Sequence, residues 1–277
     1  MRRLSWTAAL AGMILALAVC GRPAEAAQVT ETIQKSFPLP QGGAFSIENV
    51  NGAITVHVWD KNELQVTAVK TVKAASESQA KEDLAKLQVV FDVREKLVKV
   101  TTEQPKESFW SFNWLGGGAS RNVVFTVFAP EGAKMDLQSV NGSVTVEAPG
   151  SDVTAETVNG AVNVQGAAVL SATTVNGKLV FDADNLRSVE TTNGSIEGAI
   201  RAAKPTAGSA ETVNGSVSLR FSPEAALHLE LENVNGRIAS EFSGLEGTAH
   251  SKEGDVNGGG AKIRIETVNG SVTVEKL

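Results

Sequence analysis

The side chains that most often carry out chemistry in proteins are few in this chain and lie far apart. Its three histidines are His57, His228 and His250, and its one cysteine is Cys20. None of the histidines has a second histidine or a cysteine at the spacing that zinc sites use. The sequence also lacks the motifs of a serine nucleophile, a phosphate-binding loop and a dinucleotide fold. We therefore expect no catalytic residue, no metal site and no cofactor.

The carboxylates follow a different pattern, because glutamate recurs three residues before an Asn-Gly pair. Six copies have it: Glu48, Glu156, Glu190, Glu211, Glu232 and Glu266. An active site needs one singular cluster, whereas these glutamates form a periodic stripe, so we expect them to point to solvent and keep a strand edge soluble. The alternative is a carboxylate ladder that binds cations. Unit charges about 4.8 Å apart repel by only about 0.9 kcal/mol in bulk water, so folding requires no cation.

The Asn-Gly pairs that follow these glutamates dominate the sequence. There are nine of them, and from Asn141 to Asn235 the successive spacings are 18, 17, 17, 21 and 21 residues. Aliphatic residues alternate with small or polar ones on both sides of each pair, which indicates half-buried strands. Asn and Gly adopt positive φ at little cost, so each pair predicts a tight reversal. The predicted structural turns are Asn51, Gly52, Asn141, Gly142, Asn159, Gly160, Asn176, Gly177, Asn193, Gly194, Asn214, Gly215, Asn235, Gly236, Asn269 and Gly270, and the copy at Asn257 is aberrant.

Two architectures satisfy this repeat. In a β-solenoid each repeat is one coil and its Asn side chains stack about 4.8 Å apart, whereas in an antiparallel meander each Asn-Gly is a hairpin loop. The near-constant repeat length favours the solenoid. We expect an all-β fold, a β-solenoid-like stack of two-strand repeats with Asn-Gly corners. The corner residues expected along one edge are Asn141, Asn159, Asn176, Asn193, Asn214 and Asn235.

The chain divides into a leader and two β portions. Residues 1–26 have the positive start, apolar run and small-residue cleavage site of a signal peptide. Residues 27–135 form a less regular β portion that we expect to cap the stack, and residues 136–277 carry the repeat. One short helix is predicted near 76–87, where Ser76 and Gln79 form a capping box.

The leader predicts export to the periplasm or the cell surface. Leu17-Ala18-Val19-Cys20 is similar to a bacterial lipobox, which makes Cys20 a candidate lipidation site, although Val19 departs from the usual Gly, Ala or Ser. Simple cleavage near Ala26 is the alternative. We expect contact with a membrane only if Cys20 is lipidated.

Composition and charge narrow the class of partner. The chain is 42% hydrophobic and 20% charged, with 26 Gly and no Tyr, which suits thin, closely stacked strands. Its net charge is −6, and loss of residues 1–26 makes it −8. An acidic protein without basic clusters excludes nucleic acid and anionic lipid headgroups as expected partners.

One aromatic segment interrupts this composition. Phe109, Trp110, Phe112 and Trp114 lie within six residues, next to a run of three glycines. They form either a plug for one end of the stack or a candidate interaction patch for a glycan, a protein or a membrane interface.

The repeat resembles a known family. Segments 157–164, 212–219 and 267–274 share Thr-Val-Asn-Gly, a small residue, Val, a variable residue and an aliphatic residue. This pattern is similar to that of a bacterial putative-adhesin family of unknown function with β-strand repeats, as are segments 56–60 and 258–265. The resemblance spans essentially all of the chain after residue 26. It implies a solenoid-like β fold, related to the head domains of surface adhesins, and an envelope location, but no activity and no functional residue.

These observations predict a non-catalytic, exported cell-envelope protein that serves as a structural or adhesin-like interaction module. Its partner would be an envelope protein or a glycan. Two alternatives stay open: a polysaccharide-active enzyme built on a β-solenoid, and an accessory or sensor protein of an envelope stress response.

Overall fold

Alternating apolar and polar residues form strands through most of the chain. In the segment Val144–Glu147, for example, Val144 and Val146 are fully buried while Thr145 and Glu147 lie on the outer side. The computed structural model describes residues 27–104 and 119–277. It is all-β with one helix, as predicted. The elements are β1 Ala27–Pro38, β2 Ala44–Asn51, β3 Ile54–Trp59, β4 Glu63–Ala74, α1 Glu77–Lys86, β5 Gln88–Arg94, β6 Leu97–Glu103, β7 Ser120–Pro130, β8 Lys134–Asn141, β9 Val144–Glu147, β10 Asp152–Asn159, β11 Val162–Asn176, β12 Leu179–Asn193, β13 Ile196–Ile200, β14 Gly208–Asn214, β15 Val217–Phe221, β16 Leu227–Asn235, β17 Ile238–Ser240, β18 Glu246–Gly247, β19 Ser251–Val256, β20 Ala261–Asn269 and β21 Val272–Lys276.

The strands form two rows of parallel pairs, and the chain passes from one row to the other at each Asn-Gly corner. The incoming row ends at the corners and has the spatial order β6, β2, β8, β10, the second half of β11, the second half of β12, β14, β20 and β16. The outgoing row starts at the corners and has the order β7, β3, β9, the first half of β11, the first half of β12, β13, β15, β21 and β17. Buried side chains of both rows form one shared core.

Pairing at the corners excludes the antiparallel meander for the described residues. At the Asn141 corner, for example, β8 pairs with β2 and β10, whereas β9 pairs with β3 and β11, so the two strands that flank the corner do not pair with each other. Antiparallel pairs are confined to the two ends of the rows. There β5 lies on β6, β4 lies between β7 and β1, and β19 lies on β16 with β18 beyond it.

The spatial order of the repeats differs from their order in the sequence. Asn235 follows Asn214 in the sequence of corners, but β20 lies between β14 and β16, so the corner at Asn269 separates them in space. The chain reaches this position by turning back through β18 and β19 after β17. Ile263 and Ile265 of β20 are fully buried there, so the inserted repeat completes the core.

The first part of the described chain contains the predicted helix. It also contains a strand, β1, that the sequence analysis did not predict. Helix α1 begins after Ser76, whose hydroxyl accepts a hydrogen bond from the backbone N–H of Gln79 at 3.3 Å. Its buried Ala80 and Leu84 pack against the core. Strand β1 pairs with β4 along its whole length. Within the described residues, no helix has the length and apolar character needed to span a membrane.

Candidate interaction surface

The Asn side chains of eight corners form one continuous ladder. Seven of the eight amide groups donate through Nδ2 to Oδ1 of the neighbouring Asn at 2.8 or 2.9 Å, in a single direction along the stack, and Asn51 at the end only accepts. The spatial order is Asn51, Asn141, Asn159, Asn176, Asn193, Asn214, Asn269 and Asn235. The ninth copy is different: Asn257 has a φ of 50° and donates to the carbonyls of Pro223 and Ala225 at 3.0 and 2.9 Å.

The glycine of each corner is required for a reason other than the one the sequence suggested. We expected positive φ, but among the eight ladder glycines only Gly52 and Gly236 have it. Close stacking of the coils is the cause instead. A Cβ atom on Gly177 would lie 1.9 Å from the carbonyl oxygen of Gly160 in the next coil. Any side chain there would push neighbouring coils apart.

A second ladder of hydrogen bonds lies on the core side of the Asn ladder, and the sequence analysis did not predict it. The buried threonine two residues before the Asn donates its hydroxyl hydrogen to the glycine carbonyl of the neighbouring coil. The five bonds are 2.8 to 3.2 Å long and are donated by Thr157, Thr174, Thr191, Thr212 and Thr267. The signal was visible in the sequence as the Thr of Thr-Val-Asn-Gly.

Asparagine replaces this threonine in the two Asn-Gly coils at the ends of the ladder. Asn49 donates to the carbonyls of Gly52 and Val123 at 2.9 and 2.8 Å, and accepts from Thr102 at 3.1 Å. Asn233, at the other end, contacts Nδ1 of His250 through Oδ1 at 2.8 Å. The longer side chain reaches the irregular strands that flank the regular coils.

On the outer face of the incoming row, valine side chains form an exposed stripe. The residue directly before each ladder Asn is valine in seven of eight coils, and Thr192 occupies the eighth. Six of these valines leave between 38% and 61% of their surface exposed: Val140, Val158, Val175, Val213, Val234 and Val268. Thr192 divides the stripe into a run of Val140, Val158 and Val175 and a run of Val213, Val268 and Val234. Each run is larger than the scattered apolar residues that a soluble surface normally carries.

The glutamates form a parallel stripe two residues further from the corner. Because β20 is inserted between β14 and β16, four glutamates become direct neighbours. Their order across the strands is Glu190, Glu211, Glu266 and Glu232. At the other end of the stripe, Glu156 lies between the neutral Gln138 and Thr173. The acidic charge is therefore concentrated at one end of the incoming row.

A groove of about 450 Å³ lies where these two stripes run side by side. We call it the Val–Glu groove. Its outward-facing lining is formed along one side by Val175, Thr192, Val213, Val268 and Val234, and along the other by Thr173, Glu190, Glu211, Glu266 and Glu232. His250 and Ser251 lie at one end of it.

The four groove glutamates differ in their partners. Arg264 bonds to Glu266 and also to Glu232, the latter at 3.4 Å. Glu190 accepts a hydrogen bond from the hydroxyl of Ser188 at 2.6 Å. Glu211 makes no hydrogen bond or ion pair with any described residue. The groove therefore has two adjacent carboxylates without a cation.

Burial raises the pKa of the Glu266 carboxyl above its ordinary value. Its hydrogen bond with Glu232 and the charge of Glu211 act in the same direction, while Arg264 opposes them. Carboxylates on adjacent strands repel one another when they are charged, and this repulsion opposes the ionisation of all of them at once. A cation added to the groove would favour the ionised form.

The histidines lie in separate places and each has a polar partner. His57 contacts Glu147 at 2.9 Å, and His228 contacts Asp255 at 2.7 Å. His250 is the one that reaches the groove, through Asn233. Among residues 27–104 and 119–277, no three His, Cys, Asp or Glu side chains are grouped so as to hold a metal ion.

Several predicted features lie outside the described residues. These are the signal peptide 1–26 with Cys20, and the aromatic segment with Phe109, Trp110, Phe112 and Trp114. The strands on either side of that segment, β6 and β7, pair with β2 and β3, which flank the first Asn-Gly corner.

No protein-family model matches the chain, and no curated protein matches it. Solved structures with a similar chain path include a "putative cell adhesion protein" from Clostridium sporogenes, with 12% identity, 89% of this chain and 100% of that chain covered, and a TM-score of 0.35. A "putative adhesin" from Bacteroides fragilis has 12% identity, 89% and 97% coverage, and a TM-score of 0.42. A "putative lipid binding protein" from Parabacteroides distasonis has 11% identity, 89% and 96% coverage, and a TM-score of 0.35.

Two of these names agree with the putative-adhesin resemblance of the repeat, and none of the three is the name of an enzyme.

Proposed function

We propose that the chain is an exported, non-catalytic interaction module of the bacterial cell envelope, and that the Val–Glu groove is its contact surface. In this proposal the parallel rows are a β-solenoid, residues 1–26 direct export, and the regular coils hold the groove rigidly. The partner is an envelope component that remains bound when the envelope is isolated.

The observation that carries the proposal is the in-register exposure of valine. The buried residues of each coil form the core, and the corner residues form the hydrogen-bond ladders. Exposed valine at one fixed position has no such role, because its side chain points away from both. Taking a valine side chain from full exposure to full burial contributes about 1.5–3 kcal/mol, so covering the roughly two-fifths of Val213 or Val268 that is exposed contributes about 0.6–1.2 kcal/mol for each.

Retention on envelope fragments tests this proposal. The mature protein, secreted by a bacterial host and purified, is mixed with washed envelope fragments, and the bound fraction is measured after sedimentation. The double variant Val213→Ser, Val268→Ser removes apolar surface from the groove. Its matched control is Val140→Ser, Val158→Ser, at the same position of two coils that do not line the groove.

We expect the groove variant to lose most of its retention and the control variant to keep it. Both should melt within a few degrees of the wild type, because all four valines are exposed. Equal retention of the wild type and both variants would show that the groove is not the contact surface.

A further inference from the structure

We infer that the Val–Glu groove binds an amphipathic α-helix of a partner protein, with a row of basic side chains beside a row of apolar ones. This inference rests on the proposed function and adds the chemistry and shape of the partner. The charge, the row spacing and the row separation of the groove each support it.

Charge selects a basic partner. Glu190 and Glu211 are adjacent, and neither is paired with a cation in the described chain. Arg264 already bridges Glu232 and Glu266, which shows that this stripe accepts a guanidinium between two carboxylates. A second copy of this chain is a poor occupant, because two acidic molecules repel each other.

The spacing of the rows selects a helix over an extended segment. The four glutamates lie on adjacent strands, about 4.8 Å apart, and beside them the same four strands carry Thr192, Val213, Val268 and Val234. A helix laid across the strands presents one side chain of each row per turn, about every 5.4 Å. An extended segment presents side chains on one side about every 6.8 Å. Over the four groove coils, three helical turns span about 16 Å against about 14 Å for the protein, a difference that flexible lysine or arginine side chains can absorb.

The separation of the two rows fits the same partner. Valine and glutamate are two residues apart on each strand, so the rows lie about 7 Å apart across the groove. Adjacent stripes on a helix of about 10–12 Å overall diameter are separated by a similar distance. Apolar side chains at positions i, i+4, i+7 and i+11 would contact the valines, and basic side chains one position along would contact the glutamates.

The test uses three labelled synthetic peptides and fluorescence anisotropy with the purified mature protein. The first peptide carries leucine and lysine at the helical spacing just described. The second has the same composition rearranged so that leucine and lysine alternate, which favours an extended strand. The third is the helical peptide with glutamate in place of lysine.

We expect the helical basic peptide to bind at least tenfold more tightly than either of the others and to gain helical circular dichroism on binding. Glu211→Gln should weaken that binding at least fivefold. The matched control Glu156→Gln, in the same row but between neutral neighbours, should leave it unchanged. Raising the salt concentration should weaken it as well.

Three results would overturn the inference: no binding of the helical basic peptide, equal binding of the alternating peptide, or an equal loss in the Glu156→Gln control. The retention assay separates these from failure of the proposed function. If the valine variant loses retention while the helical peptide does not bind, the groove is the contact surface and only the partner class is wrong. If retention survives the valine changes, the proposed function itself fails.

Discussion

Glu211 lies directly beside Glu190 on the neighbouring parallel strands β14 and β12, and neither carboxylate is paired with a cation in the described chain. On its other side Glu211 neighbours Glu266, whose strand β20 comes from a distant part of the sequence. Folding therefore brings together acidic residues whose mutual repulsion does not help the fold. Such an arrangement is consistent with a surface maintained for binding and not for stability.

Glu211→Gln should separate the effect of this residue on stability from its effect on binding. Each neighbouring carboxylate repels Glu211 by at most about 0.9 kcal/mol in bulk water, and salt reduces this. Glu211 has two such neighbours, Glu190 and Glu266, so we expect the variant to be as stable as the wild type or more stable by up to about 2 kcal/mol, measured by urea unfolding at low salt. The same variant should bind the helical basic peptide less tightly. Lower stability would contradict this prediction, because Glu211 would then support the fold.

The corner glycines should be intolerant of any side chain because neighbouring coils are in contact there. A Cβ on Gly177 would lie 1.9 Å from the carbonyl oxygen of Gly160. We expect Gly177→Ala to cost about 3 kcal/mol or more, and the loss should appear as a lower melting temperature. Gly132→Ala is the control, since its φ is +70° but nothing lies within 4 Å of a Cβ there, and it should cost only about 1–2 kcal/mol. Similar losses for the two variants would contradict close coil stacking.

Two adjacent threonines allow the inner ladder to be tested. Thr191 is buried and donates to the carbonyl of Gly177 at 3.2 Å, whereas Thr192 belongs to the exposed valine stripe. Thr191→Val should destabilise the protein by about 1–2 kcal/mol, because a buried carbonyl loses its hydroxyl donor. Thr192→Val should change stability by less than about 0.5 kcal/mol. Chemical unfolding of both variants measures the difference, and equal effects would show that the inner ladder contributes nothing.

The raised pKa of Glu266 predicts opposite effects of pH on stability and on binding. A carboxyl whose pKa is higher in the folded state contributes stability that is present below its unfolded pKa and is lost as pH rises through its folded pKa. The basic peptide needs ionised carboxylates, so its affinity should rise over the same range, which lies above the ordinary glutamate pKa of about 4.3.

Unfolding curves and peptide titrations between pH 4 and pH 8, on the order of half a unit apart, would follow both effects. Glu266→Gln provides the comparison, because it removes this titration while Glu211, Glu232 and Arg264 remain around the position. If the wild type and this variant have identical pH profiles, Glu266 does not titrate in the range that its surroundings imply.

The regular part of the fold could be predicted from the sequence because one corner repeats at nearly constant spacing. That pattern predicted the strands and the shared edge of Asn141 to Asn235, and the capping box of Ser76 and Gln79 predicted the helix. It could not predict that Asn269 lies between Asn214 and Asn235. The corners at Asn214, Asn269 and Asn235 share Val-Asn-Gly, which does not specify their order, so the order depends on the path of the chain through β18 and β19.

The candidate site could not be predicted from the sequence either, because it also depends on the path of the chain. The glutamate stripe was visible, but its acidic end requires Glu266 to lie beside Glu211, which follows from the inserted strand. The role of glycine was also misjudged, because positive φ is a local property whereas the contact between Gly177 and Gly160 arises only when coils stack. Asn49 and Asn233 were a missed signal, since Asn replaces the repeated Thr where the regular coils end.

Protection of a single thiol tests the central claim most directly. The chain after residue 26 has no cysteine, so Val213→Cys places one reactive thiol in the groove and Val158→Cys places one in the same stripe outside it. Each purified variant is bound to envelope fragments, washed, treated briefly with a maleimide reagent and compared with the same variant free in solution. The account predicts that binding slows labelling of the Val213→Cys variant several-fold and leaves the Val158→Cys variant unchanged. Equal labelling of the bound and free Val213→Cys variant would contradict it, because the groove would then be open to solvent while the protein is held by another surface.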